Sequence, residues 1–163
     1  MPDNNKKTIP GQLKYENYRE QFKRLNKALA NGFNLEAMFI EYAIMEDRTE
    51  SVLRHADLWD AYIKSRNGRD PNIDSKIKYI KKRAENRKDL LHKYFSDNLL
   101  DRILEWKDER NRLIHALLKQ ELEHNEVSKL AEQGNVLVKL LRNRSSSYNR
   151  AADKNNAKAK SDN

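Results

Sequence analysis

Apolar residues return at helical intervals along most of the chain. Leu13, Tyr18, Phe22, Leu25 and Leu29 follow this rhythm up to Asn31-Gly32, a pair that ends helices because glycine takes the left-handed conformation without penalty. Asn34 opens a longer run in which Leu35, Met38, Phe39, Tyr42, Met45, Val52, Leu53 and Ala56 make a stripe that Ile40 and Ile44 widen. Glu36, Glu41, Glu46, Asp47 and Glu50 read as its polar side. No breaker interrupts this helix, which is expected to run to about Lys64. Asn67-Gly68-Arg69-Asp70-Pro71 is the clearest loop. Asp74 can cap the next helix, whose apolar face is Ile77, Ile80 and Ala84, and Leu90, Leu91, Tyr94 and Phe95 predict a separate short one. Ser96-Asp97 supplies an N-cap and an acidic first turn for a helix reaching about Lys119. Asn125 caps a last helix bearing Val127, Leu130, Leu137, Leu140 and Leu141. Gly134 weakens the middle of that helix by roughly 1 kcal/mol relative to alanine.

The expected fold is all-α, an up-down bundle of four to five helices with the long pair around Asn34–Lys64 and Ser96–Lys119 as its spine. Residues 1–11 read as a flexible lead-in and 12–143 as the helical domain. Residues 144–163 read as a disordered or frayed basic tail, because the segment from Ser145 loses its apolar periodicity. Only 4 Gly and 3 Pro interrupt the 163 residues. Leu, Ile, Val and Phe together number 36, about 22% of the chain, just above the level at which disorder becomes the default. The core is affordable but lean.

The absence of cysteine excludes a disulfide scaffold, thiol catalysis and thiolate metal sites. Mean hydropathy is −1.05, and no apolar run approaches the roughly 20 residues of a membrane span. The start, through Pro10-Gly11, lacks the apolar stretch of a signal peptide. The expected setting is the cytoplasm, with no membrane partner.

Net charge is +8, but its distribution matters more than the sum. Lys76 to Lys93 holds eight basic residues against Glu85 and Asp89, and Lys139 to Asn163 holds seven against Asp153 and Asp162. The remainder is slightly acidic. Two basic zones, rather than a basic protein, are what a nucleic acid would meet, and charge alone attracts phosphate without specificity.

The histidines are His55, His92, His115 and His124, none at the spacing of a helix-borne two-histidine metal site. Gly-rich phosphate loops and nucleophile elbows are absent as well. No metal and no cofactor are expected. One segment differs: Trp106-Lys-Asp-Glu-Arg110-Asn111-Arg112-Leu113-Ile114-His115. On a helix Asn111 and His115 share a face, and Arg112 flanks His115. Arg110 stands about 140° around and about 7.5 Å along the axis from His115, so the two converge on one atom only if a second copy of the helix comes alongside or the arginine curls around. Imidazole can carry a proton and guanidinium can clamp a phosphate. Together they suffice for metal-free cleavage of RNA, in which a 2′-hydroxyl is activated, the phosphorane is stabilised and the leaving oxygen is protonated.

Arg110-Asn111-x-x-x-His115 resembles the RNxxxH form of the motif of the HEPN superfamily (higher eukaryotes and prokaryotes nucleotide-binding domains). The Trp106-led stretch, the helix with Ile77-Lys-Tyr-Ile-Lys-Lys-Arg83 and the segment Phe39-Ile-Glu-Tyr-Ala-Ile-Met-Glu-Asp47 are similar to what these domains carry. The resemblance covers roughly Asn34 to Lys119. It implies a four-helix bundle, usually a homodimer, with two motif copies facing one another across a cleft. Many such proteins are metal-independent endoribonucleases of toxin–antitoxin and defence systems, so RNA and an antitoxin are the implied partners. By position, His115 would be the general acid/base, Arg110 would polarise the scissile phosphate, Asn111 would orient it or the facing histidine, and Arg112 would assist binding. Toxins silenced by a nucleotidyltransferase partner carry a tyrosine two places after the histidine. Leu117 stands there in this chain, so the resemblance does not imply that regulation.

Two other readings remain open: a non-catalytic HEPN-like dimer that binds RNA or nucleotide, and a helical adaptor or antitoxin whose basic tail meets a partner. Arg110 and His115 buried against separate acidic groups would favour these; an open basic cleft would favour catalysis. For Asp108, Glu109 and Glu50 the expected role is ordinary surface ion pairing. Tyr79, Tyr94 and Phe95 are expected in the core.

Overall fold

Local chemistry sets most of the helix boundaries. The computed structural model describes residues 11–117, 119 and 123–161. It contains α1 (Gly11–Ala30), α2 (Asn34–His55), α3 (Trp59–Ser65), α4 (Ile73–Ala84), α5 (Leu90–Phe95), α6 (Leu99–Ala116) and α7 (His124–Ser161), with no strand among the described residues. The protein is all-α, as the periodicity predicts. Five helices are long and two are short, so the expected four to five correspond to the long ones. Of the expected lead-in, residues 1–10 lie outside the described residues, and Gly11 already belongs to α1.

α1 closes on Gly32 at φ +73, with the Phe33 N–H donating to the Ala28 carbonyl at 2.8 Å and the Gly32 N–H to Leu29 at 3.2 Å. These paired return bonds satisfy carbonyls that a helix end otherwise leaves open. α2 ends in the same manner without a glycine: Asp57 takes φ +57, and the Leu58 N–H returns to the Leu53 carbonyl at 2.9 Å. Aspartate is one of the few side-chain-bearing residues that enter the left-handed region readily. The helix expected to reach Lys64 therefore stops at His55, and α3 is separate.

Asn72, rather than Asp74, caps α4. Its side chain accepts the Ser75 N–H at 2.9 Å, while the Ser75 hydroxyl accepts the Asn72 N–H at 3.3 Å, a reciprocal box. Asp74 instead holds Lys107 of α6, both carboxylate oxygens at 2.7 Å. The short helix α5 forms where expected, its first turn held by Asp89, which accepts the Leu91 N–H at 3.0 Å. Asp97 accepts the Leu99 N–H at 3.2 Å to start α6, which ends at Ala116 rather than about Lys119.

Residue pairs give the helix directions. Tyr18 and Lys14 of α1 meet Asp47 of α2, so these two run antiparallel across the Gly32 turn. Along α2, Ser51 meets Asn149 and His55 meets Asp153 of α7, while Glu41 lies against Gly134; α2 and α7 are parallel. α6 opposes α7 through Trp106–Leu130 and Arg144–Asp97, and opposes α4 through Lys107–Asp74 and Lys81–Asp101. Strict up-down alternation along the chain does not hold. The segment through α3 carries the chain back after α2, so α2, α4 and α7 run one way and α1 and α6 the other.

α7 also runs past residue 143, where the sequence reading ends the folded domain. Ser145, Tyr148, Asn149 and Ala152 are buried. Small residues at 145 and 152 leave room for a neighbouring helix, Asn149 donates to Ser51 Oγ at 3.0 Å, and Tyr148 packs edge-on against Tyr94 and Phe95. Three-residue and four-residue spacing of buried positions persists here, but in polar and small side chains that a hydrophobicity count overlooks.

The core joins Met38, Ile44, Met45, Val52 and Leu53 of α2 to residues such as Ile77, Ile80, Ile103, Trp106, Leu113, Val138 and Leu141. Each fully buried aliphatic side chain contributes roughly 1.5–3 kcal/mol. The α2 stripe is rotated from its expected setting: Leu35 and Phe39 face solvent, Phe39 at 68% exposure, while Glu41 is fully buried.

Candidate functional site

The end of α6 that carries the arginine–histidine motif is fixed from two sides. Trp106 Nε1 donates to the Leu130 carbonyl at 2.9 Å, and Lys107 is pinned to Asp74. Leu113 and Ala116 bury the next turns. These contacts set the helix rotation, and the rotation decides where each motif side chain goes.

Arg110 is half-buried, its guanidinium 4.8 Å from the centre of the Tyr42 ring. Nη1 donates to Asn111 Oδ1 at 3.0 Å, while Nε is buried without a hydrogen-bond partner. Burial draws the guanidinium below its usual pKa, with Tyr42 opposing that shift. Burial in turn raises the Tyr42 phenol, assisted by Glu46. No acidic side chain pairs with Arg110 among the described residues. Its free N–H groups are the donors a bound oxyanion would need.

His115 stands on the last turn of α6, exposed, and makes no side-chain hydrogen bond among the described residues. The structure therefore brings Arg110, Asn111 and Tyr42 together and leaves His115 further along the helix. Arg112 is engaged by neighbouring acids. It is exposed, donates from Nε to Glu109 at 3.0 Å, and reaches Glu126 on α7. Both carboxylates raise its pKa. Arg112 thus fastens α6 to α7, while Asp108 pairs with Lys107 and Glu50 with Arg54 and Lys76. These acids make ion pairs, as expected.

Leu35 and Phe39 on α2, Ile114 on α6 and Leu117 just past its end are exposed apolar side chains. α2 and α6 run antiparallel, and Tyr42 meets Arg110, so all four lie toward the same end of the bundle as the motif. The motif end of the bundle is rimmed by hydrocarbon.

Directly behind Tyr42 lies a feature the sequence reading missed. Glu41 is fully buried and neither carboxyl oxygen has a hydrogen-bond partner. Burial alone raises its pKa to about 8, so the group is largely neutral at pH 7. The spacing carried a signal: Glu41 lies three or four residues from Ala37, Met38, Ile44 and Met45, all buried. Gly134 is the reason the acid fits. A Cβ there would stand 2.1 Å from Glu41 Oε2 and 2.8 Å from Trp106 Cζ2, so α7 can cross α2 and α6 at this point only with a hydrogen in place of a methyl group. The residue read as a weak spot is a requirement of the packing.

Among the described residues, no three His, Asp or Glu side chains gather as metal ligands, and no helix is long and apolar enough to cross a membrane. No family model matches the chain, and neither a curated protein nor a solved structure matches it.

Proposed function

We propose that the protein is a homodimeric, metal-independent endoribonuclease of the HEPN type, with Arg110 and His115 as its working pair. The observation that carries this reading is the state of Arg110: a guanidinium held in place by Tyr42 and Asn111 with no carboxylate among the described residues to neutralise it. A preorganised, uncompensated cation of this kind is what a developing phosphorane requires. His115, exposed on the same helix end, is free to take the 2′-hydroxyl proton or to return one to the leaving oxygen. Because helix geometry separates the two within one chain, a second copy seated on the apolar rim of Leu35, Phe39, Ile114 and Leu117 would bring one subunit's imidazole to the other's guanidinium. Asn111 then positions Arg110, and Arg112 braces the helix rather than touching RNA. The basic segment around α4 supplies attraction for the RNA backbone.

The test is incubation of the purified protein and its His115→Ala variant with total RNA in EDTA. The proposal expects cleavage with cyclic-phosphate ends for the wild type and none for the variant. Cleavage lost on chelation, or retained by the variant, overturns it. Light scattering of wild type and Phe39→Asp provides a second reading: a dimer that falls to monomers together with its activity is expected.

A further inference from the structure

Away from the α6 motif, the C-terminal end of α2, the α4–α5 turn and the last third of α7 enclose a cleft of about 170 Å³. His55 lines it, and thirteen residues of α2 separate His55 from Tyr42, about 20 Å at 1.5 Å per residue. The cleft and the motif are separate places.

Its polar groups are held in position by one another. His55 Nδ1 lies 2.7 Å from Asp153 Oδ1, which fixes the N–H on Nδ1 and leaves Nε2 unengaged. Asn156 ties the same turn by donating to the His55 carbonyl at 3.3 Å. Across the cleft, Arg83 Nη2 lies 3.1 Å from Asp89 Oδ2. Asp89 also caps α5, so the guanidinium is anchored through one nitrogen with its other N–H groups open. Tyr148 supplies the most telling group. Its residue is 2% exposed, and its ring is gripped edge-on by Tyr94 at 5.7 Å and Phe95 at 5.8 Å. Yet its hydroxyl makes no hydrogen bond among the described residues and the residue lines the cleft. The hydroxyl is not one of the sealed, unpartnered polar atoms, so solvent in the cleft reaches it and a ligand oxygen could take that water's place. Two carboxylates also face this region, Asp89 paired with Arg83 and Asp153 paired with His55, while Arg87 and Lys88, exposed on the turn just before Asp89, have no ion-pair partner among the described residues.

We propose that this cleft binds a phosphate monoester, with the open N–H groups of Arg83 and the Tyr148 hydroxyl donating to its oxygens. The amide of Asn155 lies beside the esterified group. Two sources carry this chemistry, a free nucleoside monophosphate and the 5′-phosphorylated end of an RNA strand. The inference does not depend on the ribonuclease reading.

Calorimetric titration of the full chain tests it, using inorganic phosphate, adenosine monophosphate, adenosine, and one short RNA with either a 5′-phosphate or a 5′-hydroxyl. Phosphate and the monophosphate are expected to bind and adenosine is not. Arg83→Gln is expected to weaken binding by about tenfold or more, and Tyr148→Phe by about three- to tenfold. Arg150→Gln, which alters an exposed arginine on another face of α7, is expected to bind as wild type. Preference for the phosphorylated RNA over the mononucleotide assigns an RNA end, and the reverse assigns a free nucleotide. Absence of phosphate-dependent binding overturns the proposal. So does equal binding by Arg83→Gln and Tyr148→Phe variants that melt as wild type.

Discussion

The α2–α6–α7 crossing and the tip of α6 lie side by side, yet they handle polar groups in opposite ways. At the crossing, Glu41 is sealed behind Gly134 and Trp106 with no partner for either oxygen. At the tip, Arg110 keeps its charge by lying on the Tyr42 ring, and His115 stands in solvent. The first arrangement purchases close packing at the expense of an ionisable group forced neutral. The second gives up packing to keep charged groups available. Neighbouring residues, Glu41 and Tyr42, thus belong to two different regimes, one governed by desolvation and one by access.

This contrast can be broken at graded positions. The largest effect is expected at Glu41. Its folded-state pKa of about 8 exceeds the ordinary 4.5, so the folded chain binds this proton more tightly than the unfolded chain. The contribution is fully present below about pH 4.5 and is lost as pH rises through about 8. Glu41→Gln removes that dependence and should stabilise the protein at pH 8.5 relative to wild type by an amount on the order of 5 kcal/mol. Urea titrations of both proteins at several pH values check it, and parallel curves would show that the carboxyl is solvated.

Gly134→Ala comes next. Alanine gains roughly 1 kcal/mol in helix propensity, but its methyl group would overlap Glu41 and Trp106. A net loss of about 2 kcal/mol is expected from overpacking, read as a lowered urea midpoint; a stabilised variant would mean the crossing is loose. Arg110→Ala should cost only about 1 kcal/mol, the worth of its stacking on Tyr42, while abolishing RNA cleavage. His115→Ala should leave stability within about 0.5 kcal/mol, as for other exposed positions. A marked drop in the melting temperature of that variant would assign His115 a packing role and weaken its place in the ribonuclease proposal.

Legibility followed the same divide. Helices announced themselves wherever apolar residues alternated with charge, and the Asn31-Gly32 and Asn67-Gly68 turns were plain in the sequence. Asp57 was not, because an aspartate gives no outward sign that it will adopt the left-handed conformation that ends α2. Glu41 was assigned to the wet side by its charge, although its spacing placed it with buried neighbours. The C-terminal half of α7 was missed for the converse reason: Ser145, Asn149 and Ala152 bury little hydrocarbon, and a helix seated by small and amide side chains has almost no hydrophobic periodicity to detect. For the candidate site, resemblance to the RNxxxH motif, rather than spacing alone, singled out Arg110, Asn111 and His115. Their separate fates, and the diversion of Arg112 to Glu109 and Glu126, depend on the rotation of α6, which Trp106 and Lys107 set from elements distant in sequence.

α7 spans 38 residues without interruption, about 57 Å of continuous rod. It touches the Glu41 crossing near one end and the phosphate cleft near the other. One uninterrupted helix thus fixes the distance between the two places.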